Sequence, residues 1–328
     1  MKRSSWLSAI LICLTALAFV ACGDDEESGS GDTGGGDSNL SGNIKIDGSS
    51  TVAPLSEAVA EKFQEENPDV KVTVGTSGTG GGFEKFCAGE TDISDASREI
   101  KQEEIDACKK ENIQQEQIAV ANDGLAVAVN PNNPVTCVTT DQLNQIWDKG
   151  SKLKSWSEID GLKEDFSADL ELFGPGTDSG TFDFFTEAIN GEEGQQRTDY
   201  NNVGEDDNQT VRGIEGAEGG MGYFGLSFIK ENEGKVKALE VDGGDGCVAP
   251  SNETVQDGTY KPLGRELFIY PSDAALQKPE VKAFADYYVE NAQTIAEEVL
   301  FVPLTDEQKT EAQDKVASLS EGSGTTTE

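Results

Sequence analysis

Hydrophobic positions along the chain fall into two rhythms. Short alternating or unbroken apolar runs predict strands: Ile44-Lys45-Ile46-Asp47, Val70-Lys71-Val72-Thr73-Val74, Ile118-Ala119-Val120-Ala121, Leu125-Ala126-Val127-Ala128-Val129, Leu170-Glu171-Leu172-Phe173 and Leu267-Phe268-Ile269-Tyr270. Runs at helical spacing predict helices. Val52, Leu55, Val59 and Phe63 form one, stopped at Asn67-Pro68; Phe83, Phe86 and Cys87 begin the next. Further helices are expected from Gln102 to Glu111, over Thr140 to Trp147, from Phe182 through Phe185 to Ile189, from about Gln209, from Glu280 to Val299 and from Asp306 to Leu319. Strand, loop, helix occurs twice in succession at the start. That order predicts parallel α/β architecture with its loops gathered at the strand ends. The 118–121 and 125–129 runs have almost no polar interruption, so they should be buried on both faces and carry the chain between two lobes.

Three loops punctuate this pattern with the same chemistry. Gly48-Ser49-Ser50-Thr51 precedes Val52, Ser77-Gly78-Thr79-Gly80-Gly81-Gly82 precedes Phe83, and Gly174-Pro175-Gly176-Thr177-Asp178-Ser179-Gly180-Thr181 precedes Phe182. Hydroxyls ahead of a helix are ordinary N-caps in any protein. Three such starts in one α/β chain also amount to three sets of free N–H donors at positive dipole ends, which suits a small oxyanion. Trp147, Trp156 and the tyrosines fit core or hinge packing rather than a ligand cage.

Composition removes competing chemistries. The chain of 328 residues is long for one domain and contains no histidine. Without an imidazole there is no Ser-His-acid triad, and no glycine stands two before Ser179 as a nucleophile elbow requires. The glycine cluster runs into Phe83-Glu84-Lys85 and lacks the Lys-Ser/Thr of a nucleotide phosphate loop. No cysteine lies in a CxxC pair, so neither metal nor cofactor is expected, and reversible binding is favoured over catalysis. A net charge of -37 excludes nucleic acid and anionic membrane surfaces as electrostatic partners. A bound anion would have to be held by local dipoles against that global field, which salt screens within about 8–10 Å. Charge-assisted hydrogen bonds contribute roughly 1.5–3 kcal/mol each. A micromolar site, needing about 8 kcal/mol, therefore requires only a few hydroxyls, several N–H groups and one guanidinium.

The N-terminus carries an address. Lys2 and Arg3 precede the apolar run Trp6 to Val20, which reads as a signal peptide over residues 1–21. Ala21 directly before Cys22 resembles a bacterial lipoprotein cleavage site, and the resemblance implies lipidation of Cys22. Residues 22–42 are mostly Gly, Ser and acidic residues, expected to be a flexible tether, and 321–328 a disordered tail.

The ordered motifs Gly48-Ser49-Ser50-Thr51-Val52-Ala53-Pro54-Leu55, Ser77 to Phe83, Thr91-Asp92-Ile93-Ser94-Asp95-Ala96-Ser97-Arg98 and Gly176 to Phe182 together resemble the substrate-binding lipoproteins of bacterial high-affinity phosphate ABC transporters. The resemblance runs from about Ile44 to Pro303. It implies a two-lobed, type II periplasmic-binding-protein fold that closes on phosphate in an interlobe cleft and delivers it to membrane permease subunits. Lobe I would comprise 43–124 and 265–320, and lobe II 125–264, in a monomer. Four cysteines permit three pairings; Cys87–Cys108 and Cys137–Cys247 keep each bridge within one lobe.

The family pattern falls on Thr51 and Val52, on Ser77 or Thr79, and on Ser179, Gly180 and Thr181. Two positions depart from it. Pro175 stands where the best-known branch has an arginine, and Ser97 where it has a proton-accepting aspartate. Arg98 is then expected to supply the guanidinium from the opposite lobe, as the Ala-Ser-Arg segment of a related branch implies. Asp178 is the candidate replacement carboxylate, with Asp206 or Asp207 behind it. Loss of the aspartate leaves sulfate, molybdate or tungstate as alternative ligands, and a surface phosphatase as the alternative from another class.

Overall fold

The computed structural model describes residues 40–204 and 206–322. The signal peptide, Cys22, most of the tether and residues 323–328 lie outside the described residues. Through the first half of the chain the structure holds the expected strands and helices and adds one strand, Ile93–Ala96, that periodicity did not predict. It runs β1 (Gly42–Gly48), α1 (Ala53–Glu66), β2 (Val70–Gly75), α2 (Gly78–Cys87), β3 (Ile93–Ala96), α3 (Gln102–Lys110) and β4 (Ile118–Val129). The middle runs β5 (Cys137–Thr139), α4 (Thr140–Trp147), β6 (Glu171–Gly174), α5 (Gly180–Asn190), β7 (Asn201–Asn202), α6 (Asp207–Gly216), β8 (Gly220–Gly225), α7 (Ser227–Glu231), β9 (Lys237–Ala238), β10 (Glu240–Asp242), β11 (Cys247–Val248) and α8 (Asn252–Gln256). The chain then returns through β12 (Gly264–Pro271) and closes with α9 (Pro279–Glu298) and α10 (Asp306–Gly322), the last helix extending into the expected tail.

The strands follow the order β2-β1-β3-β12-β4-β8-β6-β7, with β9 also on β4, and β11-β10-β5 form a small separate sheet. Strands β1, β2 and β3 are parallel, as are β6, β7 and β8. Strands β4 and β12 join the two groups and run antiparallel to each other. One hydrophobic core gathers Ile44, Val52, Leu55, Phe63, Ile118, Leu267 and Phe284; a second gathers Leu125, Val127, Trp147, Trp156, Phe185 and Tyr223. This is the two-lobed α/β architecture. Trp147 and Trp156 are wholly buried in the second core, where Phe185 stacks on Tyr223 at 3.7 Å and Trp147 meets both edge-on.

Two local expectations change. The runs 118–121 and 125–129 are one strand, because Asn122-Asp123-Gly124 stays in register with Glu266, Arg265 and Gly264 of β12. The polar interruption therefore marks paired groups in a sheet, not a loop. The glycine cluster is also not a loop, since α2 begins at Gly78. Gly82 explains why the sequence tolerates glycine in a helix: a Cβ there would lie 2.5 Å from Gly48 Cα and 2.9 Å from the Asp47 carbonyl oxygen. The cost in helix propensity allows α2 to lie against the end of β1. Disulfides Cys87–Cys108 and Cys137–Cys247 are both present, the first tying α2 to α3 and the second β5 to β11.

Candidate functional site

The ends of β1 and β3, the starts of α2 and α5, and Arg265 on β12 converge where the two lobes meet. They line a narrow cavity walled by Ser49, Ser50, Thr51, Gly78, Thr79, Ser97, Asp183, Phe184, Glu187, Glu193 and Arg265. Hydroxyls dominate the first lobe's wall. Thr79 Oγ1 and Ser97 Oγ lie 3.1 Å apart, and the Ser97 N–H donates to Thr79 Oγ1 at 3.3 Å. The Thr51 N–H donates to Ser49 Oγ at 3.2 Å. Ser50 Oγ reaches across to donate to Asp183 Oδ2 at 3.2 Å.

The three helix starts at this junction lack side-chain caps. Val52 before α1, Ser77 before α2 and Ser179 before α5 make no side-chain cap hydrogen bond. By contrast Thr139, Asp206 and Ser251 each cap their helix. Side-chain caps are also missing from α3, α7 and α9, away from the cavity, so an uncapped start is not by itself a mark of the site. Without a side-chain cap the first N–H groups of α5 keep their donors available, and the dipole end faces the lobe junction.

Arg265 supplies the buried charge. Its Nη2 donates to Thr51 Oγ1 at 3.0 Å, and its guanidinium lies 3.5 Å from the Phe184 ring centroid. Nε is at ion-pair distance, 3.5 Å, from Asp123 Oδ2 but is buried without a hydrogen-bond partner, and Nη1 approaches Glu187 at only 3.9 Å. The fork therefore has donors to spare. Burial lowers the Arg265 pKa against the opposing pull of Asp123 and Glu187, and burial raises that of Asp123 against Arg265. Their pairing follows from register, since Arg265 and Asp123 are direct cross-strand partners.

Arg98 is placed differently from its expected role. Its Nη1 and Nη2 donate to the two carboxylate oxygens of Glu104 at 2.9 and 2.7 Å, and Nη1 also donates to the Glu99 carbonyl at 3.0 Å. The guanidinium sits over Phe83 and outside the cavity wall. Donating to the Glu104 carboxylate raises the Arg98 pKa, which fixes the charge in that pair. Asp178 is exposed on the loop before α5, whereas Asp183 enters the cavity one helical turn past Ser179. Burial raises the Asp183 pKa; Ser50 and Arg265 oppose that, and Glu187 and Asp178 add to it. Asp206 caps α6 by accepting from the Asn208 N–H at 3.1 Å, and Asp207 begins that helix.

Among the remaining expected residues, Thr79 is at the cavity and Ser77 is not: the Ser77 N–H and hydroxyl both turn to Asp47 Oδ1. Val52 buries its side chain in the first core, leaving its backbone at the loop. Gly180 packs against Thr51, whose Oγ1 donates to the Gly180 carbonyl at 3.4 Å. Buried Ser179 and half-buried Thr181 flank it, off the cavity wall.

Comparison with known proteins gives this geometry its context. Residues 33–292 match the family model described as a PBP superfamily domain. Protein SphX of Synechococcus elongatus is 48% identical over 265 residues, covering 80% of this chain and 77% of that protein. Phosphate-binding protein PstS of Staphylococcus saprophyticus is 37% identical over 306 residues, covering 92% and 90%. The chain belongs to the phosphate-binding proteins of the PBP superfamily. Among solved structures, a possible phosphate-binding protein from Planctomyces limnophilus superposes with a TM-score of 0.81 at 42% identity, covering 86% of this chain and 99% of that one. A putative phosphate ABC transporter substrate-binding protein from Clostridium perfringens, solved with bound phosphate, gives a TM-score of 0.55 at 27% identity over 80% of this chain and all of that one, 100%. The family is one of extracytoplasmic transport receptors, and among the described residues no helix is long and apolar enough to cross a membrane.

Of the residues expected from the motifs, Thr51, Thr79 and Ser97 line the cavity, whereas Arg98 and Asp178 do not. Arg265 and Asp183 went unnoticed, as did Ser49, Ser50, Glu187 and Glu193 as wall residues. Signals existed for two of them. A carboxylate inside an otherwise apolar strand, Asp123, demands a buried cation, and Asp183 lies four residues after Ser179, on the same helix face.

Proposed function

We propose that this protein binds inorganic phosphate in the cleft between its lobes and hands it to the permease of an ABC transporter, without catalysing a reaction. The single observation that carries the reading is Arg265, a guanidinium buried at the lobe junction, ion-paired to Asp123 through Nε and hydrogen-bonded to Thr51 through Nη2, with the start of α5 beside it. Thr51, Thr79 and Ser97 would donate or accept from the first lobe, with the Val52 backbone behind them. Ser179, Gly180 and Thr181 would contribute N–H groups and hydroxyls from the second lobe as it closes. Arg265 takes the role first expected of Arg98, and Asp183 that expected of Asp178. The names of the relatives support the ligand, as does a phosphate-bound structural neighbour.

The lobes, 43–124 with 265–320 and 125–264, would move about the paired strands β4 and β12. The chain would act as a monomer held outside the cell membrane by lipid on Cys22. Calorimetric titration of the full chain with phosphate and with sulfate tests the reading: micromolar or tighter phosphate binding with no sulfate heat is expected. Tight sulfate, molybdate or tungstate binding without phosphate binding would reassign the ligand. Hydrolysis of a chromogenic phosphate ester would overturn the assignment as a non-enzyme, and an unacylated Cys22 in membrane extracts that of the anchor.

A further inference from the structure

We infer that the receptor also takes phosphate monoesters with a short cationic tail, the phosphoryl group in the cleft and the tail in an open vestibule beside it. The inference rests on the phosphate reading and extends it from inorganic phosphate to a class of ester. A second cavity, of about 350 Å³, lies along the lobe junction and shares Ser97, Phe184, Glu187 and Arg265 with the wall of the first. The two cavities are therefore neighbours across those four side chains. An anion held by Arg265 stands at the edge of both.

The floor of the vestibule is apolar and its rim is acidic. Phe184 of α5 and Phe268 of β12 are each 4% exposed, with half-buried Ala188 and Pro262 closing the second lobe's side. Glu99, Glu187 and Glu266 stand exposed around them, one from the segment after β3, one from α5 and one from β12. The two arginines on the same wall are already compensated. Both terminal nitrogens of Arg98 donate to Glu104, and Arg265 lies at ion-pair distance from Asp123. Glu187 comes only within 3.9 Å of Arg265 Nη1, and Glu266 accepts from a neutral donor, Gln308 Nε2, at 2.9 Å. Three carboxylates thus remain in excess. Inorganic phosphate leaves that excess standing, whereas an ester with an ammonium brings its own counter-charge to the rim. A carboxylate tail would meet like charge, a neutral alkyl tail would gain the floor alone, and an ammonium tail gains floor and rim together. Glu187 lines both cavities, so a short linker is enough to bring the ammonium to it.

Calorimetric titration of the full chain with inorganic phosphate, O-phosphoethanolamine and ethyl phosphate tests this, each ester being titrated also into phosphate-saturated protein. Phosphoethanolamine should bind in competition with phosphate, and about tenfold more tightly than ethyl phosphate, whose tail lacks the charge. Raising the salt concentration should narrow that ratio, because the rim carboxylates are exposed. Phosphate binding without phosphoethanolamine binding would overturn the inference and leave the phosphate reading standing. Equal affinities for the two esters would also overturn it, as would phosphoethanolamine binding that phosphate does not displace. Binding of neither phosphate nor ester would overturn both readings.

Two variants locate the tail. Glu99→Gln combined with Glu266→Gln removes rim charge at exposed positions off the inner cavity's wall. It should cut the preference for phosphoethanolamine over ethyl phosphate to about threefold or less, with phosphate affinity within about threefold of wild type. Ala188→Phe fills the vestibule beside Phe184 and should weaken both esters by at least about tenfold while phosphate still binds. An undiminished preference in the first variant, or undiminished ester binding in a folded second one, would overturn the inference.

Discussion

Two arginines reach the lobe junction, and they are held in opposite ways. Arg98 follows a recognisable motif, yet both of its terminal nitrogens donate to Glu104, and its side chain remains 21% exposed. Arg265 stands in no motif, yet it is 13% exposed, its Nε lies 3.5 Å from Asp123 without a hydrogen bond, and it touches Thr51 and Phe184. Glu104 is also the capping partner of α3, accepting from the Lys101 N–H at 2.8 Å, so the Arg98 pair belongs to the architecture of one lobe. Arg265 sits on a strand shared by both lobes. A cation saturated by a bidentate partner has little left to offer an anion, whereas one with open donors in a water-poor cavity has much. Proximity to a motif is thus a weaker guide to function than the number of donors left unused.

Arg265→Ala breaks the comparison at its strongest point. If two charge-assisted bonds to phosphate are lost, at about 1.5–3 kcal/mol each, affinity should fall by at least about 100-fold in calorimetric titration. Leaving Asp123 buried and unpaired costs a further 3–5 kcal/mol or so of stability, so the single variant risks misfolding. The double change Arg265→Gln with Asp123→Asn removes both charges, should stay folded by circular dichroism, and should still lose phosphate binding. Wild-type affinity in that double variant would remove Arg265 from the site.

Gly180→Ala sharpens the contrast between a lobe's own structure and the junction. A Cβ at Gly180 would lie 2.9 Å from Thr51 Oγ1 and 3.0 Å from Thr51 Cα, a clash with the other lobe and not with α5 itself. Overpacking costs about 1–3 kcal/mol, and here the lobes can avoid it by remaining apart. The expected outcome is a phosphate affinity weakened by about 10-fold with the thermal midpoint of the ligand-free protein unchanged. An equal loss of thermal stability would mean that the contact supports folding and not closure.

What the sequence disclosed follows the same division. Alternation and helical spacing identified β1, β2, α1, α9 and α10 because each buries one face on its own lobe's core, a requirement written locally. The hydroxyl-bearing segments before α1 and α5 were legible because each stands directly ahead of a helical run. The continuity of β4 was not, since Asn122-Asp123-Gly124 has the composition of a turn until β12 is laid beside it. Arg265 was hidden by the same long-range pairing. The glycine cluster misled in the opposite direction: Gly82 is small to fit against Gly48, not to bend a loop. Asp183 lay inside the expected helix from Phe182 to Ile189, but which side of that helix faces the junction is set by packing against the other lobe. Local rules describe elements, and the charges of this site are set by contacts between them.

Arg98→Gln should have the smallest effect and is for that reason the most discriminating control. Removing the guanidinium deletes two bonds to Glu104, but Glu104 keeps the Lys101 N–H, so no buried carboxylate is orphaned. An ion pair with this degree of exposure contributes on the order of 1 kcal/mol, and the lost cation–π contact with Phe83 adds about 0.5–1 kcal/mol. The full chain should therefore lose at most about 2 kcal/mol of stability in urea denaturation and less than about tenfold in phosphate affinity. Glu104→Gln performs the reciprocal experiment. It leaves Arg98 charged with its fork released, next to Ser97 on the cavity wall, and affinity should rise if a freed guanidinium can swing toward the anion. A severe loss in Arg98→Gln, set against a mild one in the Arg265 double variant, would exchange the two roles and return the ligand's cation to the motif that first suggested it.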